Sequence, residues 1–154
     1  MKKIFTIFCV MMVLTACGVT SSKEIKSDSK NEHDYQFTGE SKHWEAVYSY
    51  NGSEIGGEKD KQKTYSSKDN YVLSLEYKGS LKELSSMKDI EYTYETATES
   101  GSKKEKYTEP PNDKKFTISG GSENGALVGA GEVIKVNVKW DGKEESFELH
   151  NKDK

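Results

Sequence analysis

From about Tyr35 the chain alternates apolar and polar residues in short runs. Trp44, Ala46, Tyr48 and Tyr50 share one parity, with His43, Glu45, Val47 and Ser49 on the other. A period of two marks a strand with one buried face. The same signature recurs at 71–77, at 90–96 and, more briefly, at 116–118. It is clearest at 133–140, where Ile134, Val136, Val138 and Trp140 face one way and Lys135, Asn137 and Lys139 the other.

Turn signals separate these runs. Asp141-Gly142 follows the last one at once. Asp-Gly between two alternating runs predicts a two-residue hairpin, because a type I′ turn needs positive φ at both central positions. That loop sets Trp140 opposite Lys143, Val136 opposite Phe147 and Ile134 opposite Leu149. It also sets Glu145 opposite Val138, so either a bulge shifts the pairing or Glu145 sits at a wet edge, and the bulge is the preferred reading. Asn51-Gly52, Gly56-Gly57, Lys78-Gly79 and Ser100-Gly101 read as further turns. Pro110-Pro111 excludes a central strand there. Leu81 and Leu84 allow a single helical turn, and no segment supports a helix of three turns. Many short strands between turns predict an all-β domain over residues 36–151, a single immunoglobulin-like β-sandwich of about seven antiparallel strands. Trp44 and Trp140 are its expected core.

Residues 1–35 follow another pattern. Met1-Lys2-Lys3 and an apolar run from Ile4 to Val13 lead into Leu14-Thr15-Ala16-Cys17. The run is short for a membrane span, which needs about 20 residues. Its length and basic flank suit a signal peptide over residues 1–16. Leu-small-small-Cys resembles a lipobox, whose cysteine is lipidated and becomes the first mature residue. Two acyl chains give a stable anchor, at roughly 0.8 kcal/mol per buried CH₂. The expectation is a lipid anchor on Cys17 at the extracytoplasmic face of the cell membrane. Residues 17–35 are polar with scattered apolar positions and read as a disordered tether, with a reach on the order of 20–25 Å.

Charge narrows the partners. The formal charge is −3, and it becomes −5 once Lys2 and Lys3 leave with the leader. An acidic surface disfavours nucleic acid. Every basic residue except histidine is lysine, so the planar fork that arginine offers to phosphate is missing. Cys9 lies in the leader and Cys17 in the lipobox, leaving no thiol for a disulfide.

Catalytic and metal motifs are sparse. His33, His43 and His150 show no metal-ligand spacing and read as solvated. There is no Gly-x-Ser-x-Gly elbow and no EF-hand loop. Glu40, Glu45, Glu58, Glu91, Glu95, Glu105, Glu109 and Glu132 are the acids from which a glycosidase-like pair could come, and they also read as the wet face of strands. The glycine-rich stretch 120–131 leads into a strand, unlike a phosphate cradle, with Leu127 and Val128 tucked back on the domain. No cofactor or metal is expected. Tyr and Trp offer a flat apolar face and a polar tip. Tyr50, Tyr65 and Tyr107 are therefore the candidate interaction surface.

Two stretches carry a resemblance. One is Phe37-Thr38-Gly39-Glu40-Ser41 with Trp44 and Tyr48. The other is Ile134 through Lys143, continuing through Glu145 to Leu149. Together they resemble a group of small lipoproteins of bacilli and their relatives with a C-terminal immunoglobulin-like β domain. The similarity covers roughly residues 36–150. It implies an anchor and an all-β domain, and it brings no activity, ligand or site residue. The expected function is a non-enzymatic interaction module at the cell envelope, meeting an envelope polymer or protein. The alternatives are a wall-associated hydrolase using a carboxylate pair and a passive structural protein.

Overall fold

Alternation becomes strand wherever the sequence shows it, and in places where it does not. The computed structural model describes residues 29–153, so the leader and Cys17 lie outside the described residues. The strands are β1 (Ser29–Glu40), β2 (Trp44–Lys59), β3 (Gln62–Tyr77), β4 (Asp89–Glu95), β5 (Ser100–Lys106), β6 (Lys115–Gly120), β7 (Val133–Trp140) and β8 (Lys143–Asn151). A short 3₁₀ helix, Leu81–Ser86, links β3 to β4. All eight strands lie antiparallel in the order β5-β4-β7-β8-β1-β2-β3-β6.

The fold is thus all-β, with eight strands where about seven were expected. Its two facing layers belong to one continuous sheet that curls almost into a barrel. Trp44 of β2 meets Trp140 of β7 at 5.3 Å between ring centroids, and Tyr48 of β2 meets Tyr94 of β4 at 5.5 Å. The sheet's two end strands face each other across a seam. There the Tyr92 hydroxyl donates to the Thr117 carbonyl at 3.0 Å, and Lys103 Nζ donates to the same oxygen at 3.3 Å.

Parity decides the core. Phe37, Trp44, Tyr48, Leu73, Leu75, Ile90, Tyr92, Ile134, Val138 and Leu149 are fully buried. Trp44 and Trp140 take the expected core positions. The short helix covers their end with Leu84 and Met87, both buried, while Leu81 is exposed. Glu83 secures its start, accepting from Ser80 N at 3.0 Å and Ser80 Oγ at 2.8 Å.

The Asp141-Gly142 hairpin forms as expected, with φ of 43° and 76°. Its register matches, but there is no bulge: Val138 pairs with Glu145 in an unbroken ladder. Glu145 lies at the rim of the Trp140 end, where donors from Ser41 and His43 reach it. That supply of donors removes the need to turn it outward.

Two other expectations change. Residues 29–35, placed in the tether, form the first part of β1. Their ladder to β2 needs only backbone groups, so a polar sequence can join it. Asn51-Gly52, Gly56-Gly57 and Ser100-Gly101 lie inside β2 and β5 instead of turning the chain. The β2–β3 turn falls at Asp60 and Lys61, with φ of 53° and 64°. The glycines serve tyrosines. A Cβ on Gly52 would meet the Tyr50 ring at 2.9 Å, and Cβ atoms on Gly101 and Gly120 would meet Tyr94 and Tyr71. Each missing side chain leaves room for an aromatic ring to lie flat along the sheet.

Candidate functional site at the tyrosine end

The barrel has two unlike ends. At one, Trp44 packs Tyr77, Phe116 and Trp140 at 5.1–5.6 Å. At the other, the rung Tyr35–Tyr50–Tyr71 closes the apolar interior. Past this rung β1, β2 and β3 continue as a three-stranded arm whose inner face turns polar. Its next rungs are His33–Gly52–Asp69, then Asn31–Glu54–Ser67, then Ser29–Gly56–Tyr65.

The tyrosine end is the candidate site. Tyr48, Tyr71 and Tyr94 form a triangle, with centroids 5.3 Å apart for Tyr48–Tyr71 and Tyr71–Tyr94. The Tyr48 hydroxyl donates to Glu99 Oε1 at 2.6 Å. Tyr50 accepts from Val128 N at 3.1 Å and points to Asp69 Oδ2 at 3.5 Å. Asp69 is 3% exposed, and Ser122 holds both of its oxygens, N to Oδ1 at 2.8 Å and Oγ to Oδ2 at 2.9 Å. The glycine-rich stretch thus packs against the barrel, with Val128 buried as expected.

Electrostatics at this end are one-sided. Burial raises the Glu99 carboxyl above the usual carboxylate range. The Tyr48 bond opposes that rise, and the fields of Asp69 and Glu132 add to it. Burial also raises Tyr48, assisted by its bond to Glu99. Tyr50 is pushed up to about 12, by burial first. The Tyr94 hydroxyl is buried and has no hydrogen-bond partner. The Tyr71 hydroxyl stands beside it as a loose side-chain contact and, after burial, is the next cause that pushes Tyr94 up. A buried hydroxyl left unpaired costs about 1–3 kcal/mol.

The three predicted surface tyrosines separate. Tyr50 is 1% exposed and belongs to the core, which corrects its place on the surface. Its hydroxyl is bound internally, so its polar tip does not require water. Tyr65 is 61% exposed on the arm and donates to Glu54 Oε2 at 3.0 Å. Tyr107 is half-buried, donates to Glu105 Oε2 at 2.5 Å and lines a groove of about 240 Å³ near the seam. It sits toward the Trp140 end, its N–H bonded to Lys88. The structure therefore brings no two of these three rings together.

The decisive acids were not among the eight flagged from sequence, Glu132 excepted. Asp69 had a signal, because it is in phase with Tyr71, Leu73, Leu75 and Tyr77. Glu99 sits between β4 and β5, where no periodicity marks it.

A second polar cluster occupies the Trp140 end. Ser41 Oγ donates to Glu145 Oε2 at 2.6 Å and His43 N donates to the same oxygen at 3.0 Å, while His43 Nδ1 binds Oε1. Burial pushes the Glu145 carboxyl up, but these bonds outweigh it and hold it below the usual range. His43 is therefore engaged, not merely solvated, and His33 similarly pairs its Nδ1 with the Tyr35 hydroxyl at 3.0 Å. Serine and histidine both bind the acid, and no bond links them to each other, so this is not a nucleophile–base pair. Its partners come from the two stretches that carried the resemblance, which makes it a latch between them. Among the described residues, no group of three or more His, Cys, Asp or Glu could hold a metal. No protein-family model, curated protein or solved structure matches this chain.

Proposed function

We propose that this chain is a lipid-anchored module at the extracytoplasmic face of the cell membrane, one that binds an envelope component without catalysis. The observation that carries the binding is the inner face of the sheet, which runs on beyond the core as a polar and aromatic arm adjoining Glu99 and Tyr71. His33, Glu54 and Tyr65 lie along it on three successive rungs, with Gly52 beside His33 and Gly56 beside Tyr65. Such a face suits a polar polymer or an extended peptide. The leader pattern ending at Cys17 supports the anchor, and the resemblance to small bacterial lipoproteins agrees with it.

Carboxylate-pair hydrolysis is less well supported, because Ser122 occupies both oxygens of Asp69. Incubating the purified protein with isolated envelope polymer separates the two readings. Binding predicts co-sedimentation without released fragments, weakened by Tyr65→Ala. Soluble fragments that disappear in Glu99→Gln would overturn the non-enzymatic reading. For the anchor, Cys17→Ser should move the protein from the detergent phase to the aqueous phase; unchanged partitioning would refute lipidation.

A further inference from the structure

We propose that the open edge of β1 pairs with the same edge of a second copy of this chain, joining two arms into one continuous sheet. Along the arm, β1 has a neighbouring strand on one side only. Its ladder to β2 starts at Ser29. On the other side β8 reaches Phe37 and Thr38, and the Lys152 N–H closes that row on the Gln36 carbonyl at 3.0 Å. Successive residues of an antiparallel strand bond to opposite neighbours. Gln36 bonds toward β8, so Lys30, Glu32 and Asp34 turn their N–H and C=O groups to that same side. Among the described residues nothing bonds to those backbone groups, and all three residues are exposed. An exposed row of this kind is a template for another strand.

Other free edges are less open. β5 and β6 face each other across the seam, where the Thr117 carbonyl already accepts from Tyr92 and Lys103. On β3, Ser122 and Asn124 bond to the backbone of Asp69 and Ser67, which leaves only the hairpin end.

Side chains select the occupant. Charge on an edge strand wards off strands in general, so a partner has to answer it. Lys30, Glu32 and Asp34 share one face. Two β1 strands running antiparallel about a two-fold axis at Glu32 set Lys30 of each copy opposite Asp34 of the other. Opposite charges across a pair attract. Glu32 meets its own counterpart, and Lys30 holds its carboxylate at 2.7 Å, which offsets part of that repulsion. The ladder stops after Asp34, because Lys152 already occupies the edge at Gln36. The open stretch and the self-complementary segment therefore coincide. The axis is normal to the sheet, so His33, Glu54 and Tyr65 of both copies come to lie on one side of it.

Disulfide trapping in the full-length protein in detergent tests this. Residues on such an axis have Cα atoms about 5.5 Å apart, within disulfide reach. Mild oxidation of Glu32→Cys should give about tenfold more covalent dimer than Ser53→Cys, which lies on β2 away from the edge, or than wild type, which controls for Cys9 and Cys17. Sedimentation velocity of wild type should show a concentration-dependent dimer. Glu32→Pro removes an N–H that makes no bond within one copy. It should abolish the dimer and leave the melting temperature nearly unchanged. Lys30→Glu should weaken the dimer about tenfold, and adding Asp34→Lys should restore it. Covalent dimer no greater than in the controls, or association that survives Glu32→Pro, overturns the proposal. Should Glu32→Pro unfold the arm, the charge pair decides: failure of Asp34→Lys to rescue Lys30→Glu overturns it equally. Envelope polymer that co-sediments with a strictly monomeric protein would refute the pairing and leave the binding-module reading standing.

Discussion

Glu145→Ala should cost more than any ordinary surface substitution. The carboxylate is 17% exposed and gathers three donors: Ser41 Oγ, the His43 backbone N–H and His43 Nδ1. Hydrogen bonds to a charged acceptor contribute about 1.5–3 kcal/mol each. The sum must be discounted. His43 is 37% exposed and can rehydrate, and Ser41 Oγ can strengthen its 3.4 Å contact to the Trp44 carbonyl. A net loss of about 2–4 kcal/mol remains, roughly 8–16 °C in Tm for a domain of this size. Urea unfolding followed by tryptophan fluorescence would measure it, since Trp44 and Trp140 both report on that end. The isosteric Glu145→Gln isolates the charge. The folded carboxyl of Glu145 is held below its unfolded value, so its stabilisation is fully present above an unfolded pKa of about 4.3 and lost as pH falls through the folded value. The gap between wild type and Glu145→Gln should therefore be full at pH 7 and close toward pH 3. Glu99, raised instead of lowered, works with the opposite sign but is common to both proteins and cancels. An alanine cost under about 1 kcal/mol, or a gap unchanged between pH 7 and pH 3, would refute the latch.

Two further substitutions test the reassigned positions. Tyr50→Phe removes the acceptor for Val128 N and should destabilise by about 1–3 kcal/mol, whereas the exposed Tyr65→Phe should stay within about 0.5 kcal/mol; equal effects in urea titrations would return Tyr50 to the surface class. Gly39→Ala would drive a Cβ into the Glu148 carbonyl and the Leu149 side chain across β1 and β8, for a loss of about 3 kcal/mol. Gly56→Ala meets only Ser29 Oγ at 3.2 Å and should cost less than about 1 kcal/mol; similar midpoints for the two would show that β1 can yield at Gly39.

Sheet membership was legible because it depends on parity, and parity is local. The run Ile134 to Trp140, the Asp141-Gly142 turn and the pairing of Trp140 with Lys143 all follow from spacing alone. Reading glycine as punctuation failed at Gly52 and Gly101. The cause is non-local at Gly101: the tyrosine over it, Tyr94, sits on the neighbouring strand. Polar β1 was missed for a similar reason. Its first rungs are held by the β2 backbone, which leaves no mark on the side chains of residues 29–35.

The candidate site was hidden differently. Periodicity says which residues face inward but not which rung they occupy, so Tyr50, Tyr71 and Tyr94 could not be placed at one end from sequence. Yet Asp69 and Glu145 each carried a warning. Asp69 continues the inward series of Tyr71, Leu73 and Leu75, and Glu145 continues that of Phe147 and Leu149. An acid in phase with a core cannot stay there without donors or a shifted pKa. Moving it out with a bulge is one solution, and supplying donors from elsewhere in the chain is the other. Here the second applies at both ends: Ser122 comes to Asp69, and Ser41 and His43 come to Glu145. Those donors stand 53 and more than 100 residues away in sequence. An acid on the core parity of this chain is thus evidence for a long-range polar contact, and these two contacts fix opposite ends of one barrel.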